Sequence, residues 1–243
     1  MSVTLLGAGR ARPAGGAGAV TVSGHATLTT SLESFWELDE ASGTRVDAHG
    51  TNDLTDNNSV AQGAGVVGNC ANFEIDSDPQ SLSRADNASL SFGDEDFSAC
   101  AWVKLESHGA TFNGFILGKG ADEYRLYYRA ATQRFSVNVK NGIGGEGEKD
   151  ATTLGEPANN TWYFIIIRHN ATANTVSIQV NDGTVDSASY SGGCVDGTGA
   201  FHIGGTLTVT VDGLIDQVGL WRKDLSAQEG TDLYNAGAGI PYA

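Results

Sequence analysis

Three segments of this chain alternate apolar and polar positions with a period of two. They are Tyr124/Leu126/Tyr128, Phe135/Val137/Val139 and Val176/Ile178/Val180. Successive side chains of a strand point to opposite faces, so this pattern defines half-buried strands. Helical spacing would scatter the same residues around a cylinder. Trp162 to Ile167 is apolar throughout and reads as a strand buried on both faces. Asn181-Asp182-Gly183 follows Val180 directly and signals a tight turn between hairpin strands.

The punctuation agrees. The 243 residues include 33 Gly and only 4 Pro, and Gly, Thr, Asn, Asp and Ser cluster between the apolar runs. That is the composition of a many-stranded sandwich. One helix is expected near the C-terminus. Ser226 can cap it, with Glu229 reaching back in a capping box. Gly237 reads as its stop and Pro241 prevents resumption. Cys100 lies in the strand Phe97 to Leu105 and reads as a buried thiol; a Cys70–Cys194 bridge is open but unsupported.

Charge and motifs exclude several functions. Asp and Glu number 29 against 14 Lys and Arg, which disfavours nucleic acid as a partner. No apolar run approaches the ~20 residues of a membrane span. There is no Cys-x-x-Cys, Gly-x-Ser-x-Gly or phosphate-loop motif, and the histidines show no metal spacing. The first ten residues do not resemble a secretory signal.

Residues 1–31 differ in composition from the remainder of the chain. Gly7 to Ala19 is rich in Gly and Ala and cannot order itself by burying apolar surface. This region is expected to be an arm that anchors on a protein scaffold or a neighbouring subunit, with the sandwich occupying residues 32–243.

An ordered series of blocks spans the sandwich. It includes Phe35-Trp36-Glu37-Leu38-Asp39-Glu40-Ala41-Ser42-Gly43, Phe97-Ser98-Ala99-Cys100-Ala101-Trp102-Val103 and Gly118-Lys119-Gly120. It closes with Val211-Asp212-Gly213-Leu214-Ile215-Asp216 and Leu225-Ser226. The series resembles the laminin-G-like, concanavalin-A-like jelly-roll family. The resemblance implies an all-β fold of two antiparallel sheets and recognition of glycans or proteins. It also implies, commonly, a bound calcium ion.

Within that frame Asp39, Asp47 and Asp216 are the expected Ca2+ ligands, because the first strand of such a fold lies beside the last. Tyr127, flanked by Arg125 and Arg129, should point away from Tyr124, Leu126 and Tyr128 and is the expected sugar-stacking platform. Trp36, Trp102, Trp162 and Trp221 are expected in the core. Glu74-Ile75-Asp76-Ser77-Asp78 imitates a glycosidase carboxylate strand, but Asp78 replaces the Glu of that pattern and Pro79 interrupts it. No catalytic residue is assigned. The expected function is non-catalytic recognition or surface display, on a virion such as a phage capsid or tail. The first alternative is a carbohydrate-binding or adhesion module of a cell-surface protein, and a more distant one is a glycoside hydrolase or lyase.

Overall fold

The alternating segments pair into two antiparallel sheets. The computed structural model describes residues 20–75, 79–108, 113–120, 123–206 and 210–243. Within them the strands are β1 (Leu32–Trp36), β2 (Thr55–Asn57), β3 (Ala61–Ala64), β4 (Asn69–Phe73) and β5 (Ser81–Arg84). Next come β6 (Phe97–Leu105), β7 (Gly114–Lys119), β8 (Tyr124–Arg129), β9 (Arg134–Lys140) and β10 (Glu146–Asp150). The series ends with β11 (Trp162–Asn170), β12 (Thr175–Val180), β13 (Asp186–Ser189), β14 (Phe201–Ile203) and β15 (Gly213–Trp221). The helix α1 (Ala227–Tyr234) closes the fold.

The first sheet runs β13-β12-β11-β6-β15-β4-β3, with β1 also paired to β15. The second runs β10-β9-β8-β7-β14-β5-β2. Between them lies the main core, built from the inward positions of each strand: Ala101, Val103 and Leu105 of β6, Tyr124, Leu126 and Tyr128 of β8, and Ile165 and Ile167 of β11.

Two strands share one edge of β15. β4 pairs with Gly213–Ile215 and β1 with Val218–Trp221. At the hand-over the β6–β15 register shifts between Asp216 and Gly219, and Gln217 takes φ 50°. This bulge places the inward Ile215 and Val218 three positions apart, so neither strand loses its core face.

The outer face of the first sheet is apolar and covered. Phe35, Cys100, Trp102, Phe164, Ile166 and Trp221 form a second cluster there. Val22, Leu28, Leu225, Leu233 and Ile240 close over them. Trp221 Nε1 donates to the Leu28 carbonyl at 2.7 Å. The Val22 and Ser23 amides donate to the Pro241 and Tyr242 carbonyls at 2.9 and 2.8 Å. The expected arm–domain boundary at 31/32 is therefore corrected. Residues 20–31 contribute two fully buried side chains to the sandwich, and residues 1–19 lie outside the described residues.

The helix start is as expected. The Glu229 amide donates to Ser226 Oγ at 3.3 Å, and the Ser226 amide to Glu229 Oε2 at 2.9 Å. The stop comes earlier than Gly237, at Asn235, whose left-handed φ of 45° turns the chain. Cys70, Cys100 and Cys194 are free and buried, each thiol pushed up to about 12, chiefly by burial. Trp36, Trp102 and Trp221 are buried, whereas Trp162 is half-buried with Lys104 over its ring at 5.3 Å.

Candidate functional site

The outer face of the second sheet has the opposite character. Directly paired residues of antiparallel strands point to the same face. The register aligns Ser83, His202, Gly118, Arg125, Asn138 and Glu148 in one row across β5, β14, β7, β8, β9 and β10. The adjoining row on the same face holds Phe115, Tyr127, Ser136 and Asp150. Gly118 leaves a notch between His202 and Arg125; a Cβ there would lie 2.8 Å from the Arg125 Cβ.

The three expected ligand-binding residues divide. Tyr127 does point outward, but it is only 2% exposed. The Arg125 guanidinium lies over its ring at 4.4 Å, and its hydroxyl donates to Glu148 Oε2 at 2.6 Å. Burial first, then the Glu148 carboxylate, pushes its phenol well above the usual range. The platform expectation is thus corrected: a covered ring face cannot stack on a sugar. Arg129 is committed to Glu148 and, at 3.4 Å, to Asp150. Ser136 Oγ also donates to Asp150, at 2.5 Å.

Arg125 differs. Among the described residues it makes no hydrogen bond and no ion pair, and its Nε is buried without a partner. Its guanidinium carbon lies 4.4 Å from the Tyr127 ring centroid, and the residue is partly exposed. His202 in the same row has a buried Nδ1 without a partner, and burial lowers its pKa, favouring the neutral ring. On the other side of Arg125, Asn138 is buried, and its amide donates to Glu146 Oε2 at 3.4 Å. Chemically, this arrangement offers an unpaired guanidinium in the same row as a neutral imidazole.

The expected calcium ligands do not converge as a ligand set. Asp47 accepts four backbone amides: Phe35, His49 and Gly50 on Oδ1 at 2.9 to 3.1 Å, and Asn52 on Oδ2 at 2.9 Å. Donors aimed at both oxygens leave a cation no favourable approach. Asp216 Oδ2 accepts the Val66 and Val67 amides at 2.7 and 3.0 Å, and Asp39 Oδ1 accepts the Asn69 amide at 2.5 Å. These two carboxylates hold the Gly65–Gly68 turn between β3 and β4. Burial raises Asp216 to about 7, against the Val67, Val66 and Gln217 amides that lower it, with nearby Asp39 adding repulsion. The set Asp39, Asp47 and Asp216 therefore does not fit calcium, which needs six to eight free oxygens around one point.

Among the described residues, the carboxylates whose oxygens lie within 4.8 Å of one another are Glu74, Glu106 and Asp212. They follow β4, follow β6 and precede β15, at one end of the first sheet. Sequence reasoning missed this group because Glu106 and Asp212 meet only once β6 and β15 are paired. Their oxygens suit a hard divalent cation. Glu74 accepts Asn72 Nδ2 at 3.0 Å. Asp76 and Asp78 of the suspected carboxylate strand lie outside the described residues.

The comparisons fit this architecture. A family profile described as the concanavalin A-like lectin/glucanases superfamily matches residues 78–229, and the chain belongs to that family. No curated protein sequence matches it. Among solved structures, it is similar to the binding domain of Botulinum Neurotoxin DC in complex with SialylT (TM-score 0.69, 12% identity). That likeness covers 86% of this chain and 52% of the other. The binding domain of Paraclostridial Mosquitocidal Protein 1 is also similar (TM-score 0.67, 14% identity, 85% and 52%). A third likeness is domain 4 of AbnA, a GH43 extracellular arabinanase from Geobacillus stearothermophilus, in complex with arabinotriose (TM-score 0.63, 16% identity, 83% and 97%). This chain spans about half the length of the first two. At such identities these likenesses concern the fold, and the similar structures are binding domains.

Proposed function

We propose that the protein is a non-catalytic recognition module that binds glycans on the outer face of its second sheet. Arg125 carries this reading. In a chain of net charge −15, a guanidinium that no carboxylate of the described residues claims is a binding group held ready. Its fork matches a carboxylate, so the favoured ligand is a glycan bearing an acidic sugar, with the half-buried His202 in the same row placed to meet a hydroxyl. The similar domains in complex with SialylT and with arabinotriose support carbohydrate as the ligand class. The fold hosts many functions, so the site and not the family decides.

The carboxylates on this face do not supply catalysis. Glu148 and Asp150 share the charge of Arg129 and accept hydrogen bonds from Tyr127 and Ser136 respectively, so both are engaged within the protein. The reading requires neither calcium nor a particle scaffold. Such a module works where glycans are presented, at a cell or particle surface. A glycan array of neutral and sialylated oligosaccharides tests it, with wild type beside Arg125→Ala. Binding of acidic glycans that is lost in Arg125→Ala is expected. Equal binding by both proteins overturns the assignment to this face.

A further inference from the structure

A second concavity lies on a different part of the molecule. It is an open groove of about 400 Å3, bounded by the Asn181–Thr184 turn after β12, the Thr153–Leu154 segment after β10, and Tyr234 at the end of α1. This volume falls in the range of small-molecule sites. We propose that this groove is a binding site for a neutral oligosaccharide. The inference rests on the reading of the protein as a glycan-binding module, but it uses none of the residues of the Arg125 face.

The walls are fixed before any ligand arrives. Asp186 accepts Thr152 Oγ1, the Thr153 amide and Thr153 Oγ1 at 2.5, 2.8 and 3.2 Å, tying the Thr153 segment to β13. Asn181 exchanges backbone and side-chain bonds with Phe164, at 2.6 and 3.0 Å. Thr231 Oγ1 donates to Asp182 Oδ1 at 2.8 Å and pins the turn to the helix. Tyr234 is stacked on Trp102, 5.7 Å between centroids and 22° between planes. A preformed site avoids the ordering cost that weakens binding by loose loops.

The free groups suit a polyol. Among the described residues Asn181 Nδ2, Asp182 Oδ2, Thr184 Oγ1 and Tyr234 Oη have no hydrogen-bond partner, although each belongs to a residue that lines the groove. Together they offer one amide donor, one carboxylate acceptor and two hydroxyls beside an aromatic ring. Sugars present the complementary set: hydroxyls that donate and accept, and an apolar ring face. The sign of the ligand follows from the lining. Asp182 and Asp186 line the groove and, among the described residues, no Lys or Arg does. Acidic sugars are therefore repelled here, the reverse of the preference at Arg125.

Titration calorimetry with arabinotriose, xylotriose, cellotriose, mannotriose and 3′-sialyllactose tests the assignment. The proteins are wild type, Asp182→Ala, Tyr234→Leu and Arg125→Ala. At least one neutral trisaccharide should bind wild type, at least tenfold more weakly to Asp182→Ala and Tyr234→Leu, and unchanged to Arg125→Ala. Asp182 is exposed, so its variant reports even if Tyr234→Leu does not fold. Neutral-sugar binding that ignores Asp182→Ala overturns the groove and leaves glycan binding standing. Wild type that binds only sialyllactose also overturns the groove, while supporting the Arg125 face. Folded wild type that binds nothing on the panel overturns the groove; the wider array then decides the Arg125 face separately.

Discussion

The outer faces of the two sheets are built from the same alternating strands and end in opposite states. On the first sheet, Phe35, Trp102, Phe164 and Trp221 face outward and are sealed by Val22, Leu28, Leu233 and Ile240. On the second, the outward row is Ser83, His202, Gly118, Arg125, Asn138 and Glu148, and among the described residues no helix crosses it. An apolar outward face must be covered, and a polar one can stay open. The difference teaches which face is free to meet a ligand.

The comparison can first be broken by opening the sealed face. Trp221→Ala removes a fully buried side chain and its bond to the Leu28 carbonyl. A loss of about 3–5 kcal/mol in unfolding free energy by denaturant titration is expected. A loss below ~1 kcal/mol would mean that residues 20–31 do not cover this face in solution.

Next in size is the pH dependence set by Asp216, which lies on the same sheet. Its folded pKa of about 7 is above the usual 3.8, so the folded state binds the proton more tightly than the unfolded state. Its stability contribution is therefore fully present below about pH 4 and is lost as pH rises to 7 and just beyond. The loss is on the order of 4 kcal/mol at full extent. Urea titrations of wild type and Asp216→Asn at pH 5 and pH 8 check the sign. Wild type should lose more stability than the variant over that interval.

How much of this was legible in the sequence depends on range. The period-two segments and the Ser226 capping box are local, and each formed as read. The outward direction of Tyr127 was also local, and correct. Its burial was not, because it depends on Arg125 folding over the ring and on Glu148 arriving from β10, two strands away in the sheet. Asp39, Asp47 and Asp216 were chosen by proximity of the first and last strands, and β1 does pair with β15. Nothing in the residue string shows that backbone amides would consume Asp47. The burial of Val22 and Leu28 was hidden because their surroundings are supplied by β1, β6, β15 and the C-terminal tail.

A smaller effect sharpens the contrast on the open face. Tyr127→Phe deletes only the 2.6 Å bond to Glu148 and leaves the ring under Arg125. A destabilisation of about 1–2 kcal/mol is expected, since the acceptor is charged. A stacking platform would instead keep its stability and lose affinity, so measuring both separates the two roles.

The smallest stability effect belongs to the residue with the largest proposed role. Arg125 has no salt bridge or hydrogen bond to lose among the described residues. Its contact with Tyr127 is worth about 0.5–1 kcal/mol at a partly exposed site. Arg125→Ala should therefore change unfolding free energy by no more than about 1 kcal/mol. The same substitution should weaken acidic-glycan binding roughly tenfold or more, the equivalent of about 1.4 kcal/mol. Arg125→Lys discriminates further, because an ammonium keeps the charge but not the planar fork. If Lys restores affinity fully, the site reads charge alone; if it restores only part, the fork itself recognises the carboxylate. Loss of stability with unchanged affinity would instead make Arg125 a cover for Tyr127 and close the second face as well as the first.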